Sequence, residues 1–248
     1  MIYKQTLGQA FQLCKEDWKP VLLLSFIIWI LNYLLGSTMG AGAQSPGLMI
    51  FAIVASLFQM YLHVLIVLRS NDLWKSKAQE WSLVIKEASW GTISFILYTL
   101  LLLMILLFAG GVFGLIFYLI FSKFLPQDLS KVVLPILTTI PTTLLLSTLL
   151  TPFFLLPWIA VIDQNHEQSY LKMARTIVKK SRWSLSLLIW MLLLFFVVGN
   201  VLEFVSMGAA SEETLVWDFF SALFVPVGII LDYFLVGLYW KLKEVSLP

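Results

Sequence analysis

Charge is scarce in this chain. Its 248 residues include only 16 Lys and Arg and 14 Asp and Glu, 12% of the total, where a soluble globular domain is about a quarter charged. Cysteine is nearly absent, and the single Cys14 excludes both an intramolecular disulfide and a thiolate metal cluster. Two histidines, His63 and His166, are too few for most histidine metal sites. Catalytic signatures are missing as well: there is no GxSxG elbow, HExxH helix, Walker A loop or GxGxxG turn. These deficits exclude a secreted disulfide scaffold, a nucleic-acid-binding domain and a disordered chain, and they fit an ordinary soluble enzyme poorly. No enzymatic activity, cofactor or metal is expected.

What the chain has in excess is apolar side chain, 60% of residues with a mean hydropathy of +0.93. So much apolar surface requires lipid as solvent. A backbone in lipid must satisfy its own hydrogen bonds, and the apolar runs do not alternate as barrel strands would. The expected fold is therefore all-α, a polytopic membrane helix bundle forming one domain over 1–248. A helical span needs about 20 residues, and six runs qualify as spans: Val21–Leu35, Gly47–Leu68, Ile93–Phe121, Val132–Ile162, Leu185–Ser206 and Leu215–Trp240. The third contains Gly110, Gly111 and Gly114, and the fourth Pro135, Pro141, Pro152 and Pro157. The fourth is expected to begin as an interfacial piece and to cross from about Pro141, bent by its prolines.

Lys and Arg set the orientation. Fourteen of the sixteen lie in the N-terminal segment, the loops after the second and fourth spans, and the C-terminal segment, leaving Lys123 and Lys131 opposite. Both termini are thus expected in the cytoplasm. Ala41-Gly42-Ala43 has the look of a signal-peptidase site, but the long segment before the first apolar run and the nearby Pro46 favour an uncleaved span.

A threefold repeat organises the chain. Each cytoplasmic segment is an amphipathic stretch closed by tryptophan and leading into an outward span. Leu7, Phe11, Cys14 and Trp18 share one face of the first, opposite Lys4, Gln12 and Lys15. Trp74, Ala78, Trp81, Ile85 and Ala88 do so in the second, which ends at Trp90. In the third, Tyr170, Ala174, Ile177 and Val178 face away from Lys172, Arg175, Lys179 and Arg182, and Trp183 closes it. The predicted unit is an interfacial helix followed by a two-span hairpin. Such helices either close the cytoplasmic face of the bundle or recruit anionic lipid or a partner protein. The third, with Lys172, Arg175, Lys179, Lys180 and Arg182, is the best headgroup candidate.

At this point the pattern resembles the YciC-like inner-membrane proteins of Gram-negative bacteria, a family related to the membrane domain of some glycerophosphoryl diester phosphodiesterases. The likeness lies in the length, the six spans and the stretch Pro152-Phe-Phe-Leu-Leu-Pro157-Trp-Ile-Ala-Val-Ile-Asp163. A basic amphipathic helix through Arg182-Trp183 follows, and the ending Phe234-Leu-Val-Gly-Leu-Tyr-Trp-Lys241 is also similar. The resemblance implies an inner-membrane location and an envelope-related role. It carries over no catalytic residues, and the phosphodiesterase catalytic domain has no counterpart in these 248 residues.

Ionisable groups inside spans are costly unless paired or hydrated. His63 in the second span and Asp232 in the sixth lie at similar depth, about 9 and 12 Å from their cytoplasmic flanks at 1.5 Å per residue. They are expected either to meet or to line a polar cavity, unless Asp232 snorkels toward Lys241 and Lys243. Glu203 lies near the far end of the fifth span with Asn200 a turn earlier, and Asn32 and Gln59 add polar groups to the first two. His166-Glu167, with Asp163, Gln164 and Asn165, reads as a solvated turn or a weak cation site. Cys14 reads as a small buried hydrophobe, or as a membrane-proximal palmitoylation site. Two functions fit best. One is a non-enzymatic scaffold for envelope proteins or lipids, with membrane lipids, other membrane proteins or a second copy as partners. The other is a transporter or flippase for a lipid or small amphiphile.

Overall fold

The computed structural model describes residues 2–40, 46–76, 79–124, 127–163, 169–207 and 214–246, without the side chains of 36–40, 127–133, 135–136, 195–207 and 214–224. Nine helices and no strand occur among the described residues: α1 Ile2–Glu16, α2 Trp18–Gly40, α3 Pro46–Trp74, α4 Trp81–Phe121, α5 Gln127–Leu150, α6 Leu156–Ile162, α7 Tyr170–Lys179, α8 Arg182–Met207 and α9 Thr214–Ser246. Four stretches among the described residues are long and apolar enough to cross a membrane: Trp18–Leu35, Pro46–Trp74, Trp81–Phe121 and Val225–Ser246. The described apolar parts of α5 and α8, Leu137–Leu150 and Arg182–Leu194, are shorter.

Two expected boundaries are corrected. The fourth run, expected to continue over Val132–Ile162, is two helices. Pro135 and Pro141 lie within α5, and the chain breaks at Pro152 instead. Proline has no N–H to continue the ladder, and Phe153 and Phe154 both turn back to the Leu150 carbonyl at 2.8 Å. Pro157 then sits in the first turn of α6, where no N–H is needed. The second amphipathic stretch is likewise not a separate helix. Trp74 ends α3, residue 78 lies outside the described residues, and Trp81–Trp90 is the first part of α4. That helix has 41 residues, about 60 Å at 1.5 Å per residue. Ala41-Gly42-Ala43 also lies outside the described residues.

The dense core sits at one end of the bundle, where every residue from Asp232 to Tyr239 of α9 is buried. α9 packs there against α1, α2, α3, α6 and α7, while α5 joins α4 to α8 on the other flank. α3 and α9 run parallel. His63 bonds Asp232 and Asn71 bonds Trp240, both at a sequence separation of 169. The far surface of the bundle is apolar and exposed, with Met104 and Phe108 of α4 among its residues.

The docking face of α1 differs from the expected one. Thr6, Ala10 and Cys14 are buried, whereas Leu7, Phe11 and Trp18 are exposed. Small side chains let the α1 backbone approach α9 closely, leaving the large apolar groups on an outer face where lipid can cover them. In α4, Val84, Ala88, Gly91 and Phe95 face the core and Ile85 does not. α7 buries Met173, Ala174, Ile177 and Val178, the face its sequence pattern indicates. The tryptophans that close the three stretches, Trp18, Trp90 and Trp183, are 53%, 73% and 82% exposed.

Candidate functional site

Three polar clusters tie the core end together, each built around one carboxylate. In the first, His63 of α3 and Asp232 of α9 pair, Nδ1 to Oδ2, at 3.0 Å. Trp158 of α6 donates Nε1 to the other carboxylate oxygen at 3.4 Å. The indole is held edge-on to Phe95 and tilted against Phe154. Both oxygens of Asp232 are thereby occupied. Its side chain is 9% exposed and that of His63 31%, so the pair opens to the surroundings on the histidine side. Asp232 does not reach for Lys243, because that lysine is engaged elsewhere.

The second cluster surrounds Asp17, at the joint between α1 and α2. The Arg69 guanidinium donates to it twice, Nε to Oδ2 at 3.1 Å and a terminal nitrogen to Oδ1 at 3.0 Å. The Tyr233 hydroxyl donates to Oδ2 at 3.2 Å. Arg69 also donates to the Gln79 carbonyl at 3.3 Å and lies over the Trp81 ring at 5.1 Å. A two-pronged guanidinium–carboxylate contact of this kind fixes orientation as well as charge. Asp17 follows Thr6, Ala10 and Cys14 on the buried stripe of α1. Burial, reinforced by the nearby Asp17 charge, pushes the Cys14 thiol up to about 12.

The third cluster surrounds Asp163, just past α6. It accepts from the Tyr239 hydroxyl and from Lys243, whose Nζ is 3.0 Å away. Lys243 also donates to the Tyr239 oxygen at 2.8 Å. Beside it, Trp240 donates to Asn71 at 3.0 Å and carries Lys75 and Lys243 on its ring at 4.7 and 4.9 Å. Asp163, grouped from sequence with a solvated turn, is thus part of a partly buried ion pair with 13% exposure. His166 and Glu167 lie outside the described residues, as do the side chains of Asn200 and Glu203 in α8. Asn32 is exposed on α2 and joins none of the clusters. Gln59 is half-buried a turn before His63.

The cations of α7 and of the turn leading into α8 form a fourth feature. Lys172, Arg175, Lys179, Lys180 and Arg182 are all exposed. Lys180 donates to the Val245 carbonyl at 2.7 Å, and Arg175 lies 5.9 Å from the Phe153 ring centre. Among the described residues no carboxylate pairs with any of the five. An open depression of about 300 Å³ on α7 is lined by Ser169, Leu171, Lys172, Arg175, Thr176 and Lys179. No cluster of three or more potential metal ligands occurs among the described residues.

Sequence reasoning singled out His63 and Asp232, and the structure brings them together. It missed Asp17, Arg69, Trp158, Tyr233 and Tyr239. Asp17 left a trace, since it continues the helical spacing of Thr6, Ala10 and Cys14. No family model, curated protein or solved structure matches the chain.

Proposed function

We propose that the chain is a non-enzymatic scaffold of the bacterial cytoplasmic membrane. In this reading six spans form three hairpins, the first and third led by the separate helices α1 and α7 and the second by the N-terminal part of α4, with both termini in the cytoplasm. The observation that carries this reading is the use made of the carboxylates. Asp17, Asp163 and Asp232 are each taken up by side chains from other helices. These groups bind the bundle together at one end rather than lining a route through it. The parallel course of α3 and α9 supports an even number of crossings between their ends. The resemblance to the YciC-like family points to the same membrane. Lipids, other membrane proteins or a second copy are the partners this reading implies.

A transporter is the second reading, and one observation favours it. The broken α5–α6 element places Trp158 on the intramembrane His63–Asp232 pair, and interrupted helices at polar sites are a transporter device.

Native mass spectrometry of the protein taken from its own membrane, as wild type and Asp232→Asn, separates the two. A protein partner or self-assembly that persists in Asp232→Asn supports the scaffold. A stoichiometric amphiphile lost on that substitution overturns it. Orientation has its own test in a Cys14→Ala background. An impermeant maleimide should label Lys123→Cys in intact cells and Ser76→Cys only after permeabilisation, and the reverse pattern refutes the topology.

A further inference from the structure

We infer that the outer face of α7 is a specific site for the phosphates of an anionic glycerophospholipid headgroup, and that it fits a two-phosphate, cardiolipin-type lipid best. The inference deepens the lipid-associated part of the scaffold reading and rests on it.

The outer face of α7 carries unmatched positive charge. Three cations of α3 and α9 have carboxylate partners: Arg69 has Asp17, Lys243 has Asp163 and Lys241 has Glu244. Lys172, Arg175 and Lys179 pair with no carboxylate among the described residues, and the sequence holds no Asp or Glu from Ser169 through Val201. Lys172, Arg175 and Lys179 fall at i, i+3 and i+7, a single stripe about 10 Å long at 1.5 Å per residue. They rim the depression of about 300 Å³ together with Ser169 and Thr176. An isolated phosphate would engage one end of such a stripe, whereas a headgroup with two phosphates spans it. Arg adds the planar fork that suits phosphate oxygens.

The position of α7 is fixed as well. A basic loop that merely obeyed the orientation rule would not need to be held still. α7 is held along its apolar face and at its C-terminal end. Its apolar face is buried on the bundle. At its C-terminal end, Ser246 of α9 donates to the Ile177 carbonyl at 3.1 Å and Lys180 to the Val245 carbonyl at 2.7 Å. The cations are therefore fixed relative to the bundle before any lipid arrives, which lowers the ordering cost of binding. Trp183, 82% exposed just beyond α7, sits where an indole meets the headgroup layer.

The test uses full-length protein in mild detergent, with native mass spectrometry of lipid adducts. Cardiolipin and phosphatidylglycerol are added at equal total charge. Three proteins are compared: wild type, Lys172→Gln/Arg175→Gln/Lys179→Gln, and Lys4→Gln/Lys15→Gln/Lys19→Gln. The last removes the same charge from exposed positions on α1 and the start of α2. The expected result is a saturable 1:1 cardiolipin adduct on wild type, weakened tenfold or more by the α7 triple and less than threefold by the control. Equal losses in the two triples would mean general electrostatic attraction and overturn the site. An adduct abolished by millimolar inorganic phosphate would assign the site to free phosphate and overturn the lipid. Absence of an adduct on wild type also overturns it. None of these results depends on Asp232, so the scaffold reading and the headgroup site fail separately.

Discussion

The indole of Trp74 occupies the space beside Gly237. A Cβ placed on Gly237 would clash with that ring, and one turn earlier the Tyr233 carbonyl accepts the indole N–H at 3.0 Å. The end of α3 is thus seated on α9 by a contact that only glycine permits.

Gly237→Ala is expected to lower stability by about 1–3 kcal/mol, the usual range for forced overpacking, and Gly237→Val by more. Gly111 of α4 is the control, because nothing lies within 4 Å of its Cβ position. Gly111→Ala should be neutral or slightly stabilising, as alanine relieves the backbone entropy of glycine in a helix. Thermal unfolding in detergent, followed by size-exclusion chromatography, measures both. Equal melting temperatures for the two variants would show that the Trp74 contact yields at no cost.

Arg69→Ala leaves the Asp17 carboxylate buried with only Tyr233 to answer it. Breaking a buried pair from one side typically costs about 3–5 kcal/mol, and that is the expected loss. Asp17→Leu combined with Arg69→Met should cost much less than the sum of the single variants, because neither charge is then left alone. Additive losses in denaturation would show that the two groups act independently.

The His63–Asp232 contact is open to a double-mutant cycle. His63→Ala and Asp232→Ala are each expected to destabilise, with a coupling energy above about 0.5 kcal/mol, the lower bound for residues in direct contact. Trp158→Phe should reduce that coupling by removing the donor on the second carboxylate oxygen. Zero coupling in unfolding experiments would separate the two side chains energetically.

Cys14 supplies a pH-dependent expectation. Its thiol is pushed up from 9.0 to about 12 by burial and by Asp17, so the folded protein holds this proton more tightly than the unfolded chain. The stability tied to the neutral thiol is therefore complete well below pH 9.0, the unshifted value, and lost as pH rises toward 12. A stability profile over pH 8–11 should fall more steeply for wild type than for Cys14→Ala. Maleimide at pH 7.5 should modify Cys14 at least a hundredfold more slowly in mild detergent than in sodium dodecyl sulfate. Rapid labelling in both detergents would place the thiol on the surface.

Much of the helix content was legible because apolar runs and charge minima mark where chain enters lipid. The buried face of α7 was legible too, since its charged and apolar residues fall on opposite sides. The face of α1 was not. Periodicity reports which residues avoid water, and for α1 both the small residues that dock and the large ones that do not avoid it. The break after α5 was missed because four prolines share one run and sequence does not say which one interrupts the ladder. His63 and Asp232 stood out as charges in apolar surroundings. Asp17, Arg69 and Asp163 did not, because they lie at span edges, where a charge is ordinary until its partner is known.

α9 is translated after every element it holds. Until it enters the membrane, Asp17 lacks the Tyr233 hydroxyl, His63 its carboxylate, Asp163 its lysine and Trp74 its glycine seat. The Asp17–Arg69 pair can form among the earlier helices, whereas the His63 and Asp163 contacts wait for α9. A chain stalled before residue 232 lacks the Asp232 carboxylate, the Gly237 seat and the Lys243 ammonium at once, and is expected to be cut by protease faster than the chain that includes α9.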